Sequence, residues 1–239
     1  MSIRAGLHRS AHEGISMLEF NRLYLMDCMD GMREFPDKYF DLAIVDPPYG
    51  INRFKNGQPT RLNKYGSLAA ANDAKPTPAY FAELFRISRE QIVWGYNHLS
   101  DMLPPTTEFI FWYKHQPVNS YSDGELAWTS FPKTARCFDY PFFGVTGKDS
   151  LRIHPTQKPV ALYRWLFKNY AKPGDKILDT HAGSASSFIA AYELGFDYVG
   201  FELDPDYHAA ASQRVAAAMA QGRLFEPAND NSYKQQPLF

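Results

Sequence analysis

Between residues 176 and 221 the chain alternates in a way that few architectures accept. KILDT (176–180) reads as a buried strand and AGSAS (182–186) as a turn of small residues. Residues 187–194 follow as a helix capped by Gly195, and DYVGFEL (197–203) is a second strand. Pro205 then opens an Ala-rich helix that runs to about residue 221. Upstream stand an amphipathic helix at 160–171 and the turn Pro173-Gly174-Asp175. Strand, helix, strand at this spacing predicts a parallel sheet with helices packed on it, the pattern of a nucleotide-binding α/β chain.

The first half adds strands with a different punctuation. Residues 22–26 and 40–45 read as short buried strands, and the second runs into two prolines that end it. Residues 51–77 read as a mobile basic loop. The spacing predicts a helix over 78–89, with Pro78 at its start, and strands at 91–95 and 108–113 around the turn at 103–105. Residues 114–150 are aromatic and polar with no clear period, and they read as an irregular insertion. The polar tail from Gly222 reads as a flexible linker. With 239 residues this is one domain, expected over 1–221, with room for a sizeable core.

Composition removes several classes. Apolar residues are 45% and charged residues 21%, so disorder, collagen and coiled coil do not describe the chain. No apolar run reaches a membrane span, and the first sixteen residues lack the core of a secretory signal. Two cysteines make no disulfide framework, and the expected compartment is the cytoplasm. The seven histidines take no metal-ligand spacing, and no metal is expected. Net charge is -1, yet residues 51–190 hold 17 Lys+Arg against 11 Asp+Glu, and the rest holds 8 against 15. A basic middle can face phosphate, although such imbalances are also common in ordinary domains.

Two motifs carry chemistry. In Asp46-Pro47-Pro48-Tyr49 a carboxylate, a proline carbonyl and an aromatic face fall within four residues. The set can grip a planar ring bearing an amine: Asp46 and Pro47 accept the two amine hydrogens, and Tyr49 stacks. The alternative is a rigid proline-bounded turn with an incidental tyrosine. In Asp179-Thr180-His181-Ala182-Gly183-Ser184-Ala185-Ser186-Ser187 small residues let a ligand approach the backbone at a helix start. Glu202 ends the next strand at a distance that suits ribose hydroxyls. The alternative is tight strand–helix packing without a ligand.

DPPYG (46–50), HPTQKP (154–159), DTHAGSASS (179–187) and FELD (201–204) occur in the order of one group of enzymes. In that order the chain resembles the DNA amino-methyltransferases that use S-adenosylmethionine and carry DPPY before the cofactor turn. The likeness covers about residues 20–221. It is greatest to small phage- or prophage-type adenine enzymes, to which WGYN (94–97) is also similar. The resemblance implies a Rossmann-like α/β methyltransferase fold, a mostly parallel twisted sheet flanked by helices. It implies that Asp46, Pro47 and Tyr49 hold the target base, with Pro48 shaping the turn. Asp179, Gly183 and Ser184 would lie along the methionine end of the cofactor, Glu202 at its ribose and Asp27 at its adenine. Thr156, Gln157 and Lys158 match a loop near the cofactor carboxylate; Lys158 also reads as a surface lysine at a helix start, and His154 as a brace for the loop. The implied partner is double-stranded DNA, contacted by 51–77 and 114–150, with the target adenine flipped out and methylated on N6. The oligomeric state is open, a dimer included.

Two departures from the group's pattern stand out. Thr180-His181 replaces the usual Pro-Phe, and Ala185 stands where glycine is usual, a substitution that matters if the backbone there needs positive φ. The final residues Gln235-Gln236-Pro237-Leu238-Phe239 resemble the peptide by which bacterial DNA enzymes dock on the replication sliding clamp, through Gln235, Leu238 and Phe239. Such short peptides also arise by chance. Competing readings are N4-cytosine methylation, an RNA target, a decayed DNA-binding relative and a clamp-tethered accessory factor.

Overall fold

A computed structural model describes residues 18–51, 74–115, 122–142, 152–154 and 156–222. Eight strands form one sheet: β1 (Arg22–Leu25), β2 (Phe40–Val45), β3 (Ser88–Trp94), β4 (Phe109–Tyr113), β5 (Gly124–Thr129), β6 (Arg136–Asp139), β7 (Lys176–Asp179) and β8 (Asp197–Glu202). Among the described residues six helices accompany them: α1 (Cys28–Arg33), α2 (Pro78–Ile87), α3 (Tyr96–Leu99), α4 (Val160–Tyr170), α5 (Ser186–Leu194) and α6 (Pro205–Ala220). The spatial order is β1-β8-β7-β2-β3-β5-β4-β6. The first five in that order are mutually parallel, β5 is antiparallel to both neighbours, and β6 returns parallel to β4.

Toward their carboxyl ends β2 (Leu42–Val45) and β3 (Ile92–Trp94) are buried on both faces, so there they read as continuous apolar runs rather than alternating ones. On β2, Leu42 and Ile44 enter one core with α4, α5 and α6, while Ala43 and Val45 enter the other with α1 and α2. β3 divides in the same way, with Ile92 and Trp94 on one side and Val93 on the other. Helix α2 buries Tyr80, Phe81, Leu84 and Ile87, one stripe at helical spacing. Helix α6 needs only Tyr207, Ala211 and Val215, a narrow stripe that explains its Ala-rich surface.

Three expectations change. The helix expected over 78–89 stops at Ile87, and β3 starts at Ser88 rather than 91. The helical period continues past Ile87, but Ser88 pairs with Phe40 of β2, and its hydroxyl donates to the Leu84 carbonyl at 2.5 Å. Sheet pairing overrides local propensity there. Residues 114–150 are not a wholly irregular insertion, because β5 and β6 belong to the main sheet. Both lacked a signal: β5 (GELAWT) has no Val or Ile, and β6 (RCFD) is an edge strand with one buried residue, Phe138. Most of the loop expected at 51–77, and the tail from 223 with its terminal peptide, lie outside the described residues. Among the described residues no helix is long and apolar enough to cross a membrane.

Candidate active site

The sheet order reverses between β7 and β2. From β7 the chain proceeds to β8 on one side, and from β2 to β3 on the other. At such a reversal the loops leaving the carboxyl ends of adjacent strands diverge and open a crevice. Leu42 pairs with Ile177 and Ala43 with Leu178, so Asp46 and Asp179 leave neighbouring parallel strands at the same edge. The two motifs, 133 residues apart, therefore meet.

At the β2 end the prolines stop the ladder and turn the chain. Pro47 is buried, and Asp46, Pro48 and Tyr49 are half-buried. The Tyr49 hydroxyl donates to Asp46 Oδ1. Burial and the Asp46 charge push that phenol well above its usual range, so it stays a donor. The Tyr49 ring stacks on His98, with centroids 5.2 Å apart and planes 19° apart. Beneath it lies Gly95 at φ +80, where a Cβ would come within 2.1 Å of the ring. The WGYN segment thus supplies both the glycine and, through α3, the histidine of this seat.

Lys158 is not a surface lysine. It is 4% exposed, and its ammonium donates to Asp46 Oδ2. Both oxygens of the motif carboxylate are therefore occupied, one by Tyr49 and one by Lys158. The lysine also lies 3.2 Å from Glu125 of β5, which in turn pairs with Lys114. Burial opposes the Lys158 charge, but the two carboxylates hold its ammonium above the usual lysine range. Sequence reasoning missed Glu125 and Lys114 because they sit in and beside the unassigned hairpin. Their only signal was a pair of opposite charges flanking aromatic strand residues.

At the β7 end the turn is built from backbone. Gly183 has φ +51, and its N–H donates to Glu202 Oε2 at 2.9 Å. Glu202 Oε1 accepts from Asp204 N, also at 2.9 Å. His154 packs over Gly183, where a Cβ would sit 3.4 Å from Nδ1, and its ring meets Tyr207 edge-on at 4.4 Å. Burial draws the His154 imidazole down to about 4. Its Nδ1 accepts from Thr156 N at 3.3 Å, which is the expected brace. Thr156 is exposed; Gln157 is buried and accepts from Ile153 N at 3.1 Å, its Nε2 having no partner among the described residues. Ser184 is buried, and Arg214 donates to its carbonyl at 2.7 Å. Asp27 caps α1 by accepting from Met29 N, and it stays exposed beyond the end of β1. Because β1, β8 and β7 are consecutive in the sheet, Asp27, Glu202 and Asp179 fall at three neighbouring strand ends. His181 reads as packing: its ring meets Tyr80 edge-on, Nδ1 is 2.9 Å from Thr180 Oγ1, and burial draws it down to about 4.

Asp179 accepts from Ser187 Oγ at 2.5 Å and from His181 N at 3.1 Å. Burial dominates these contacts and pushes the carboxyl up to about 7. The unfolded value is near 4, so the native state binds more protons between about pH 4 and 7 and loses stability as pH rises through that window. Asp179→Asn keeps the hydrogen-bonding shape without the charge. It is expected to raise thermal stability at pH 8 by on the order of 1–3 kcal/mol and to leave it nearly unchanged at pH 4, read by melting at both pH values.

Ala185 has φ +55 and is fully buried. The left-handed backbone that makes glycine usual here is present, carried by an alanine. That conformation costs about 1–2 kcal/mol. The buried methyl returns about 0.8 kcal/mol, and the stiffer unfolded chain returns about 0.4–1 kcal/mol. Ala185→Gly is therefore expected to change unfolding free energy by less than about 1 kcal/mol, whereas Ala190→Gly, inside α5, should cost about 2 kcal/mol in the same denaturation experiment.

A glycine turn at the switch point of a parallel sheet, with an acid ending each neighbouring strand, defines a Rossmann-like methyltransferase fold. The family model of the DNA methylases (N6_N4_Mtase) matches residues 79–213, and the chain belongs to that family. YubD of Escherichia coli (strain K12), which carries a methylase name, is 30% identical over 219 residues, covering 82% of this chain and 92% of YubD. The DNA adenine methyltransferase YhdJ of the same organism is 23% identical over 80% of this chain and 81% of its own. Among solved structures, the M1.HpyAVI–SAM complex superposes with a TM-score of 0.54 at 19% identity, covering 81% of this chain and 98% of that one. Among the described residues no group of three or more His, Cys, Asp or Glu is placed to hold a metal ion.

Proposed function

We propose that this DNA methylase transfers a methyl group from S-adenosylmethionine to the exocyclic N6 of an adenine extruded from duplex DNA. The observation that carries the reading is the adjacency of the Asp46-Pro47-Pro48-Tyr49 corner and the Gly183 turn at one sheet edge. The residues fit the cofactor. Gly183 leaves open the space that a Cβ would fill beside His154, and three carboxylates stand at consecutive strand ends. Asp179 and Ser184 would serve the methionine end, Glu202 the ribose and Asp27 the adenine, with Thr156, Gln157 and Lys158 on the loop above. The likeness to a solved SAM complex supports the same cofactor. When bound, it supplies a methyl group on a sulfonium sulfur that departs as a neutral thioether.

Asp46 and the Pro47 carbonyl accept the two hydrogens of the target amine, which draws its lone pair out of conjugation and aims it. Tyr49 stacks on the base; its present partner is another planar ring, His98, which supports a seat of that shape. Asp46 removes no proton in advance, because the amine is acidic only after it has been methylated. Acceleration comes from holding two reactants in line. Extrusion follows from the amine edge being paired within the duplex.

Adenine is favoured by the aspartate that leads the motif and by the name of YhdJ. The second reading is N4 of cytosine, which the family description spans. Enzymatic digestion of methylated duplex DNA to nucleosides decides it: N6-methyl-2′-deoxyadenosine is expected, and N4-methyl-2′-deoxycytidine would replace this reading with the second. The proposal includes DNA contact by residues within 51–77 and 114–150. It also includes sliding-clamp docking by Gln235, Leu238 and Phe239.

A further inference from the structure

Four alternating charges run away from the catalytic corner: Asp46, Lys158, Glu125 and Lys114. They rest on two tryptophans, with Lys158 Nζ 5.4 Å from the Trp94 ring and Lys114 Nζ 4.5 Å from the Trp112 ring. Asp46 lies in the DPPY motif and Lys158 in HPTQKP, whereas Glu125 and Lys114 lie in neither. Glu125 stands on β5 directly opposite Trp112 of β4, so the register of an antiparallel pair fixes its place. Arg152, His154, Tyr49 and Tyr163 also face the series.

An ammonium held by Asp46 alone would compete with the target amine for the same carboxylate, whose other oxygen already serves Tyr49. We propose that Glu125 is a positioning residue for Asp46: it takes a share of the Lys158 ammonium, so that Asp46 keeps acceptor capacity for the amine, and Lys114 balances the charge Glu125 brings. This rests on the methyl-transfer reading above. The electrostatics agree. Burial opposes the Glu125 charge, but Lys158 and Lys114 hold its carboxyl down at about 2. Burial draws Lys114 down, with the Glu125 carboxylate opposing.

The test uses charge balance, which a merely structural role would not follow. Glu125→Gln leaves two ammonium groups facing one carboxylate. Methylation of duplex DNA with labelled S-adenosylmethionine is expected to slow about 10²-fold in kcat at neutral pH. It should recover toward pH 9 as Lys158, no longer held by Glu125, loses its proton, while the calorimetric Kd for the cofactor moves less than about threefold. In a Lys158→Met background, where no ammonium competes for Asp46, Glu125→Gln is expected to change kcat by less than about threefold. A second readout needs no activity. The melting temperature of Glu125→Gln should rise more steeply between pH 7 and 9 than that of wild type, since the unfolded state then binds the extra proton. If Glu125→Gln does not fold, Glu125→Asp, which keeps the charge but withdraws it from Lys158 by one methylene, replaces it: slowed kcat that disappears in the Lys158→Met background supports the proposal, and kcat within twofold of wild type overturns it.

Glu125→Gln within twofold of wild type overturns the proposal. So does a Glu125→Gln loss that is undiminished in the Lys158→Met background. Wild-type protein that binds the cofactor but methylates no DNA overturns the functional reading instead, and the melting arm then judges the charge series alone.

Discussion

Asp46→Ala is expected to reduce DNA methylation by about three orders of magnitude or more while the Kd for S-adenosylmethionine changes only a few-fold. The carboxylate is the one charged acceptor in the corner, and its loss frees the target amine to keep its lone pair conjugated. It also strands the buried Lys158 ammonium, which retains only Glu125 at 3.2 Å. A stability loss of about 3 kcal/mol is therefore expected alongside, because an ion pair broken from one side leaves an uncompensated charge. Single-turnover methylation with calorimetry and melting on the same preparation separates these effects. Retained methylation in Asp46→Ala would remove Asp46 from the mechanism.

Gly95→Ala is the second large effect, and its target contains no reactive atom. The new Cβ would fall 2.1 Å from the Tyr49 ring, and the backbone is at φ +80. The backbone strain costs about 1–2 kcal/mol. The clash is relieved by expelling the end of the tyrosine side chain, which takes the hydroxyl from Asp46 and the ring from its seat. Loss of one base-stacking platform is worth about 1–3 kcal/mol, so kcat should fall roughly ten- to hundred-fold. Cofactor affinity should stay unchanged, because Gly95 follows β3, two strands from β7. A Gly95→Ala protein with normal kcat would show that Tyr49 does not need this seat.

The parts legible in sequence were those whose signal is local. The βα alternation of residues 176–221 carries its own periods, caps and turn residues, and β7, α5, β8 and α6 fall within a residue or two of expectation. The prolines after β2 and the glycine at 183 declare their backbone needs directly. What escaped was set by partners far along the chain. Ser88 begins a strand because of Phe40, and Gly124–Thr129 forms β5 because β3 and β4 flank it. The Lys158–Asp46 contact links positions 112 residues apart, and only the closed sheet brings them together. The left-handed backbone at Ala185 was legible as a question, since alanine alone does not announce its φ.

The position of β2 has a consequence for how the protein is made. β2 is synthesised early and pairs with β3 on one edge, but its other edge waits for β7, which begins at Lys176. Until β7 has left the ribosome, a largely apolar parallel strand stands with one row of amides and carbonyls open. The nascent polypeptide then carries an open strand edge of the kind that invites aggregation, and the crevice between the two motifs does not exist before β7 is in place.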